Sequence, residues 1–385
     1  MNCSRRDFLG GIASAAVLPQ LGCISFTDRA QAWKRGDLQI HFLYTGVGEQ
    51  MFYIFPDGTT MLLDCGVIKT EGRDPAPIPE AVKGRPVDWI ADYIERVNPA
   101  ADPTYIDYMM TSHYHADHTD GYPRLIERMH FGKEFDRCWP DVNFPCKLSD
   151  FQPHELKVMT EVYDRLVKRD GLKIEEWRVG ERDQLKLLHG GAKDFSVFNL
   201  CANGFVASET TGEIVDLYKD YPDKQPGFKG NQFGKQWINE NGMSVGFILT
   251  YGKFRYYSAG DFSDCPYGHN IENEMAPFVK PVTAAKMNHH GYYSMYDKLT
   301  AALAPKEWFN CVWNHSQNTQ ETIDRITDRK LYPGARRIHS CFFTPRRPCA
   351  DVADSGLYEG RNVVLTVHEG GGNYDIECLY TGGGV

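Results

Sequence analysis

The 385 residues, 42% of them hydrophobic and 13% aromatic, can bury a sizeable core, and the length suits one large domain or two small ones. With 24% charged residues the composition is that of a soluble globular protein and not of a disordered one. A formal net charge of -9 repels polyanions in the far field, which weighs against a protein that tracks along DNA or RNA but leaves room for a small phosphate-bearing substrate at a cationic centre.

At the N-terminus, Ser4-Arg5-Arg6-Asp7-Phe8-Leu9 precedes an apolar run from Gly10 to Cys23 that is too short to span a bilayer as an ordinary helix. That order resembles a twin-arginine export signal, and Ala30-Gln31-Ala32 offers the small-x-small pattern that a signal peptidase cuts. Residues 1–32 are then an export signal and residues 33–385 the folded domain. The resemblance implies transit through the twin-arginine machinery and a periplasmic or otherwise extracytoplasmic mature chain without a transmembrane segment. A basic flexible tail, or a lipid anchor at Cys23, is the alternative. Of 11 cysteines, Cys3 and Cys23 fall in this segment, and the nine left cannot all pair within one molecule. Cys138 with Cys146, and Cys341 with Cys349, are near enough in sequence to close small loops, against the plainer reading of buried apolar thiols.

Strand patterns at Leu38 to Tyr44 and Met51 to Phe55 flank a glycine loop at Gly46 and Gly48. Pro56-Asp57-Gly58 is a turn, and Met61-Leu62-Leu63 is a short strand that delivers Asp64 to its end, before Cys65-Gly66. Trp89 to Val97 has apolar positions at helical spacing, and Tyr105 to Met110 is a buried strand leading to His113. Residues 123–190 look like a variable or inserted region holding an amphipathic helix from Glu155 to Arg169. Strand patterns return at Phe195 to Cys201, Ser244 to Tyr251, Phe254 to Ser258, Val282 to Met287 and Glu307 to Trp313, and Asn362 to His368 with Tyr374 to Leu379 reads as a closing hairpin. Strands alternating with helices predict an α/β domain of sheets covered by helices.

The densest chemical signal is Thr111-Ser112-His113-Tyr114-His115-Ala116-Asp117-His118, directly after an apolar strand. Imidazole and carboxylate are the usual zinc ligands, and a turn at a strand end can aim alternate residues at two neighbouring points. His113 and His115 would hold one ion, Asp117 and His118 a second. Asp64 is placed to accept the remaining ring N–H of a ligating histidine, the alternative being a turn-forming aspartate.

This HxHxDH run resembles the signature of the metallo-β-lactamase superfamily. Leu63-Asp64-Cys65-Gly66, the strand from Phe254 to Ser258 running into Gly260-Asp261, and His290-Gly291 match its later motifs in order. The glycine loop, the Pro56-Asp57-Gly58 turn, Asn241 with Ser244, and Lys286 to Gly291 are most similar to the hydrolase domains of ComEC-like proteins. The resemblance covers roughly residues 38 to 380. It implies a four-layer αββα sandwich, Asp261 as a bridging ligand, His290 as a ligand of the second ion, and His289 near the substrate or in the outer shell. It implies two divalent ions, zinc first, with manganese or iron as alternatives at oxygen-rich sites.

The chain departs from the family in one respect: the histidine that many members place about twenty residues before the bridging aspartate is missing. Asn239 and Asn241 stand there, so Asn241 is either a weak oxygen ligand, a partner of bound water or substrate, or a turn residue. His189 is the spare candidate to complete the first site. His315 and Tyr292 are candidate substrate contacts, against a solvated loop histidine and an aromatic packing residue. The implied function is metal-dependent hydrolysis, with Asp117 orienting the attacking water and a small phosphodiester or related ester as substrate. A lactamase or lactonase is the alternative within the class, and a binding protein without turnover is the alternative outside it. An oxygen- or nitric-oxide-reducing di-iron protein is disfavoured, because those relatives carry glutamate where this chain has His115.

Overall fold

Strand after strand buries its side chains on both faces, which demands a cover on each side of the sheet. The computed structural model describes residues 23–27, 30–66, 86–148, 153–224, 229, 236–263, 270–312, 317–341 and 361–380. The twin-arginine motif at residues 4–9, His315 and Cys349 lie outside the described residues.

In chain order the first half holds β1 (Cys23–Thr27), β2 (Leu38–Phe42), β3 (Met51–Ile54), β4 (Thr60–Leu63), α1 (Pro86–Val97), β5 (Tyr105–Met110), α2 (Ala116–Thr119), α3 (Tyr122–Leu125), β6 (His130–Asp136), α4 (Pro153–Asp170) and β7 (Lys173–Glu176). The second half holds β8 (Phe195–Ala202), β9 (Phe205–Ala207), β10 (Ile214–Asp216), β11 (Gly246–Tyr251), β12 (Phe254–Ser258), α5 (Ile271–Met275), β13 (Ala284–Lys286) and α6 (Asp297–Leu303). It ends with β14 (Glu307–Asn310), α7 (Gln320–Thr327), β15 (Arg337–Ser340), β16 (Arg361–Val367) and β17 (Tyr374–Tyr380).

These strands make a nine-stranded sheet in the order β1-β17-β16-β2-β3-β4-β5-β6-β7 and an eight-stranded sheet in the order β10-β9-β8-β11-β12-β13-β14-β15. In the first sheet β1 pairs parallel with β17, antiparallel pairing runs from β17 to β4, and pairing changes to parallel from β4 to β7. In the second sheet the change falls at β12, which pairs antiparallel with β11 and parallel with β13.

The two-residue period sorts the core. Phe247, Leu249, Phe254, Tyr256 and Phe309 point into the space between the sheets, where Phe309 stacks on Phe42 with ring centroids 4.4 Å apart and Tyr53 packs edge-on to Phe247 and Tyr256. Their neighbours Ile248, Tyr257 and Trp308 point outward and are covered by Leu299 and Leu303 of α6 and Ile323 and Ile326 of α7. On the far side, Tyr93 of α1 hydrogen-bonds His41 of β2 at 2.8 Å, and Tyr163 of α4 donates to Asp136 of β6 at 2.6 Å. This is the four-layer αββα sandwich expected from the sequence.

Within residues 123–190, β6, α4 and β7 continue the first sheet and its helical cover; the sequence reading saw only the helix. β7 is an edge strand with a polar pattern, Lys-Ile-Glu-Glu, held to β6 partly by the Lys133–Glu175 ion pair at 2.9 Å. Residues Cys23–Thr27, inside the segment read as an export signal, pair in parallel with β17, with Cys23 opposite Asp375. Cys138 and Cys146 are separate thiols. Among the described residues no helix is long and apolar enough to cross a membrane.

Because the Phe42–Phe309 stack joins the two sheets, Phe309→Ala is expected to cost about 3–5 kcal/mol of unfolding free energy, the usual range for a buried phenylalanine. Denaturant titration checks this, and a loss below about 1 kcal/mol would mean that the stack carries little of the core.

Candidate metal centre

The ligand-type residues leave the carboxyl ends of β4, β5, β12 and β13, which lie where each sheet switches from antiparallel to parallel. Chains leaving neighbouring strands in different directions open a crevice at such a point, a general binding position in open α/β sheets. Asp64 follows β4, the run His113 to His118 follows β5, Asp261 follows β12, and His289 and His290 follow β13.

Backbone hydrogen bonds tie these loops together. Cys65 N–H donates to His118 O at 2.7 Å, Glu49 N–H to Asp117 O at 3.0 Å, and Val245 N–H to Ser112 O at 2.8 Å. Gly48 makes the closest approach, with φ +88 and a backbone so near Asp117 that a Cβ would sit 1.8 Å from its carbonyl oxygen. Only glycine fits there.

Four donor groups, those of Asp117, His118, Asp261 and His290, lie within 4.8 Å of one another and could hold an ion. Asp261 Oδ2 is 3.2 Å from His118 Nε2 and 3.2 Å from His290 Nε2, and His290 Nε2 is 3.3 Å from both Asp117 Oδ2 and His118 Nε2. Donors about 2.0–2.1 Å from one tetrahedral ion stand about 3.3 Å apart, so these spacings suit a metal better than direct contact of bare groups. His118 Nδ1 faces Asp64 Oδ2 at 2.8 Å, which leaves its Nε2 for the cluster. Asp64 also accepts from Ser112 N–H at 2.7 Å and from the Ser112 hydroxyl at 2.6 Å. His290 Nδ1 donates to Cys311 O at 2.9 Å, fixing its tautomer in the same way.

His113 and His115 form a second pair of donors, Nε2 to Nδ1 at 3.2 Å. Opposite them, Asn241 Nδ2 lies 3.3 Å from His289 Nε2, which is itself 4.0 Å from Asp261 Oδ2. Asn241 is buried, yet its Oδ1 has no hydrogen-bond partner, nor does Asp261 Oδ1. The unsatisfied Asn241 oxygen is one that a cation could satisfy, while Asp261 Oδ1 turns toward Lys286 Nζ at 3.8 Å.

His189 lies elsewhere. Its Nε2 bonds Asp107 at 3.0 Å, six positions before His113 on the chain, roughly 15–20 Å away along an extended strand, so it does not complete the first site. In the sequence it ends an apolar run, but the carboxylate that claims it, Asp107, lies in the first half of β5. Tyr292 is at the rim, edge-on to His289 with centroids 5.4 Å apart.

Sequence reasoning missed a buried pair behind the cluster. Lys286 Nζ lies 2.5 Å from Glu49 Oε2, donates to Gly260 O at 2.6 Å and is 3.8 Å from Asp261 Oδ1. Burial would strip its proton, and the Glu49 and Asp261 carboxylates hold it on. Glu49, Asp64 and His118 also bring donor atoms within 4.8 Å of one another, but the Glu49 carboxylate is already paired with the Lys286 ammonium.

No protein-family model and no curated protein matches the chain. Among solved structures it is similar to the metallo-β-lactamase fold protein YhfI from Bacillus subtilis, with TM-score 0.38 and 10% identity, covering 79% of this chain and 96% of that one. It is also similar to CmlA, a diiron β-hydroxylase from Streptomyces venezuelae, with TM-score 0.38, 15% identity, and coverage of 78% and 51%. A third is zinc-bound PqqB from Methylobacterium extorquens, with TM-score 0.32, 12% identity, and coverage of 64% and 72%. Identity this low leaves activity to be argued from the site.

Burial lowers the His290 pKa and the Asp261 and Asp117 carboxylates more than reverse this, to about 9 in the ion-free protein. Burial likewise lowers the His118 pKa, and the Asp261, Asp64 and Asp117 carboxylates more than reverse it. A ligating imidazole must be neutral, so an entering ion displaces these protons. Zinc affinity is therefore expected to rise at least about tenfold per pH unit from pH 6.5 to 8.5, with proton release visible as a buffer-dependent calorimetric enthalpy. A pH-independent affinity over that window would contradict the placement of His290 in the cluster.

Proposed function

We propose that the chain is a metal-dependent hydrolase with a two-ion centre, acting on a small phosphodiester or related ester, and that it is exported as a folded protein. The observation that carries this is the convergence of Asp117, His118, Asp261 and His290 at ligand-to-ligand spacing beside the His113–His115 pair. His113, His115, Asp261 and Asn241 would hold the first ion, and Asp117, His118, Asp261 and His290 the second. Divalent ions at such a site supply a water of lowered pKa and stabilise charge developing on the substrate. Zinc suits this imidazole-rich set, with manganese or iron as alternatives.

The rest is done by the protein. Asp117 is the one member of the four-donor group that is partly open, at 27% side-chain exposure against 0–2% for the others, so its carboxylate is placed to orient water at the mouth and accept its proton. His289 is pushed down to about 4 by burial, so it is neutral at working pH, with Nε2 against the Asn241 amide at 3.3 Å and its ring edge toward the substrate side beside Tyr292. Tyr292 supplies an aromatic wall beside it. The ester class and the export rest on the resemblance to ComEC-like domains and to a twin-arginine signal, and the net charge of -9 supports a small substrate over long nucleic acid. Asn241, an amide where the family has an imidazole, favours a second reading, a metal-binding protein without turnover.

Elemental analysis of the purified protein together with turnover of bis-p-nitrophenyl phosphate separates the two. Two divalent ions per chain and measurable hydrolysis are expected, and Asp117→Ala should lower turnover at least about 100-fold while the chain stays folded. Wild-type turnover in that variant would remove Asp117 from the mechanism, and two bound ions without hydrolysis of any ester would favour the binding role.

A further inference from the structure

The donor set of the first ion includes a neutral amide, Asn241, where that of the second has only imidazoles and carboxylates, so its register needs support from the surroundings. Arg137, the residue after β6, and Glu240, the residue before Asn241, form an ion pair with no exposed side-chain surface. Arg137 Nε donates to Glu240 Oε1 and Arg137 Nη2 to Glu240 Oε2, each at 2.9 Å, a two-pronged contact that fixes the carboxylate plane. The other guanidinium N–H groups hold the carbonyls of Val142 and Phe144 and the side chain of Asn203, and the cation lies 4.6 Å over the Tyr114 ring.

Glu240 Oε1 also accepts the backbone N–H of Tyr114 at 2.9 Å. Tyr114 lies between His113 and His115. One carboxylate thus grips the backbone between two imidazoles while its own backbone leads directly into the Asn241 amide. Buried ion pairs are poor sources of stability, because desolvation consumes most of the attraction. Their use here is geometric.

The geometry points to Arg137 and Glu240 as positioning residues of the first ion, setting the separation of the His113–His115 pair from Asn241 where a third imidazole is missing; this rests on the two-ion reading above. The two imidazoles of the second ion are oriented from other loops, His118 by Asp64 at 2.8 Å and His290 by Cys311 O at 2.9 Å, so it is less sensitive to this pair.

The test is competitive zinc titration of the full chain against a chromogenic chelator, which yields one constant for each ion. Asn241→His should tighten one constant and so mark it as the first ion, since imidazole is the better zinc ligand. Glu240→Gln should then weaken that same constant at least tenfold and leave the other within twofold. Glu240→Asp keeps the charge and the Arg137 pairing, so it tolerates burial better, and it should give the same selective loss in smaller degree. A merely structural role would weaken both ions together. Equal weakening of both constants, or no change in either, overturns the proposal, whereas a wild-type chain that takes up fewer than two ions overturns the two-ion reading itself.

Discussion

The site depends on one atom, Asp261 Oδ2, which lies 3.2 Å from an imidazole of each sheet, His118 after β5 and His290 after β13. Those two rings belong to separate layers of the sandwich. They can meet at one carboxylate oxygen only if the sheets face each other at a fixed distance and in fixed register. The inner core provides this directly: Phe309, stacked on Phe42, is two residues from Cys311, whose carbonyl orients His290. Packing between the sheets and ligand geometry are therefore parts of one constraint.

Two fully buried ion pairs flank the centre, Glu49–Lys286 behind the Asp261 and His290 side and Arg137–Glu240 behind the His113 and His115 side. As sources of stability they would be poor choices, since apolar side chains of similar volume do as well or better. Both touch backbone next to candidate donors: Lys286 bonds Gly260 O, one residue before Asp261, and Glu240 bonds the Tyr114 amide. Charge-assisted hydrogen bonds in a dry interior are short and directional. That is the property a metal site needs from its surroundings, where a shift of a few tenths of an ångström separates a ligand from a neighbour.

The convergence of these donor side chains was legible in the sequence because the candidate residues cluster locally. The run from His113 to His118 sits within one turn, and Asp64, Asp261 and His290 each end an apolar strand, so position and residue type together announced them. The buried pairs left no such trace. Glu49 is one polar residue in a glycine loop and Lys286 one basic residue in an apolar strand, and nothing local says that they meet. Arg137 and Glu240 are 103 residues apart and look like surface charges until the fold closes over them. His189 failed as a candidate for the converse reason: its residue type fits a metal, but the partner that decides its role, Asp107, lies in the first half of β5. β6 and β7 escaped notice because strands toward a sheet edge carry polar side chains that blur the alternation.

The adjacent histidines 289 and 290 show how local backbone strain completes the site. Neighbours on a regular strand point to opposite faces, and neighbours on a helix lie about 100° apart, so neither would send one ring to the four-donor cluster and the next to the rim. Here His289 and His290 both adopt the left-handed region, φ 46 and 53, followed by Gly291 at φ 74. Each non-glycine residue held there costs of order 1 kcal/mol, and the surroundings must over-determine the turn to keep it. They do so through polar contacts with the turn: Asn310 Nδ2 donates to His290 O at 2.8 Å, Thr319 N–H to Gly291 O at 3.0 Å, and Asn288 Nδ2 to Glu272 at 2.7 Å. The result is that His290 is 1% exposed at the cluster while His289 is 18% exposed and meets Asn241 and Tyr292. A substitution that relaxed this turn would leave both rings in the protein and remove both from their places.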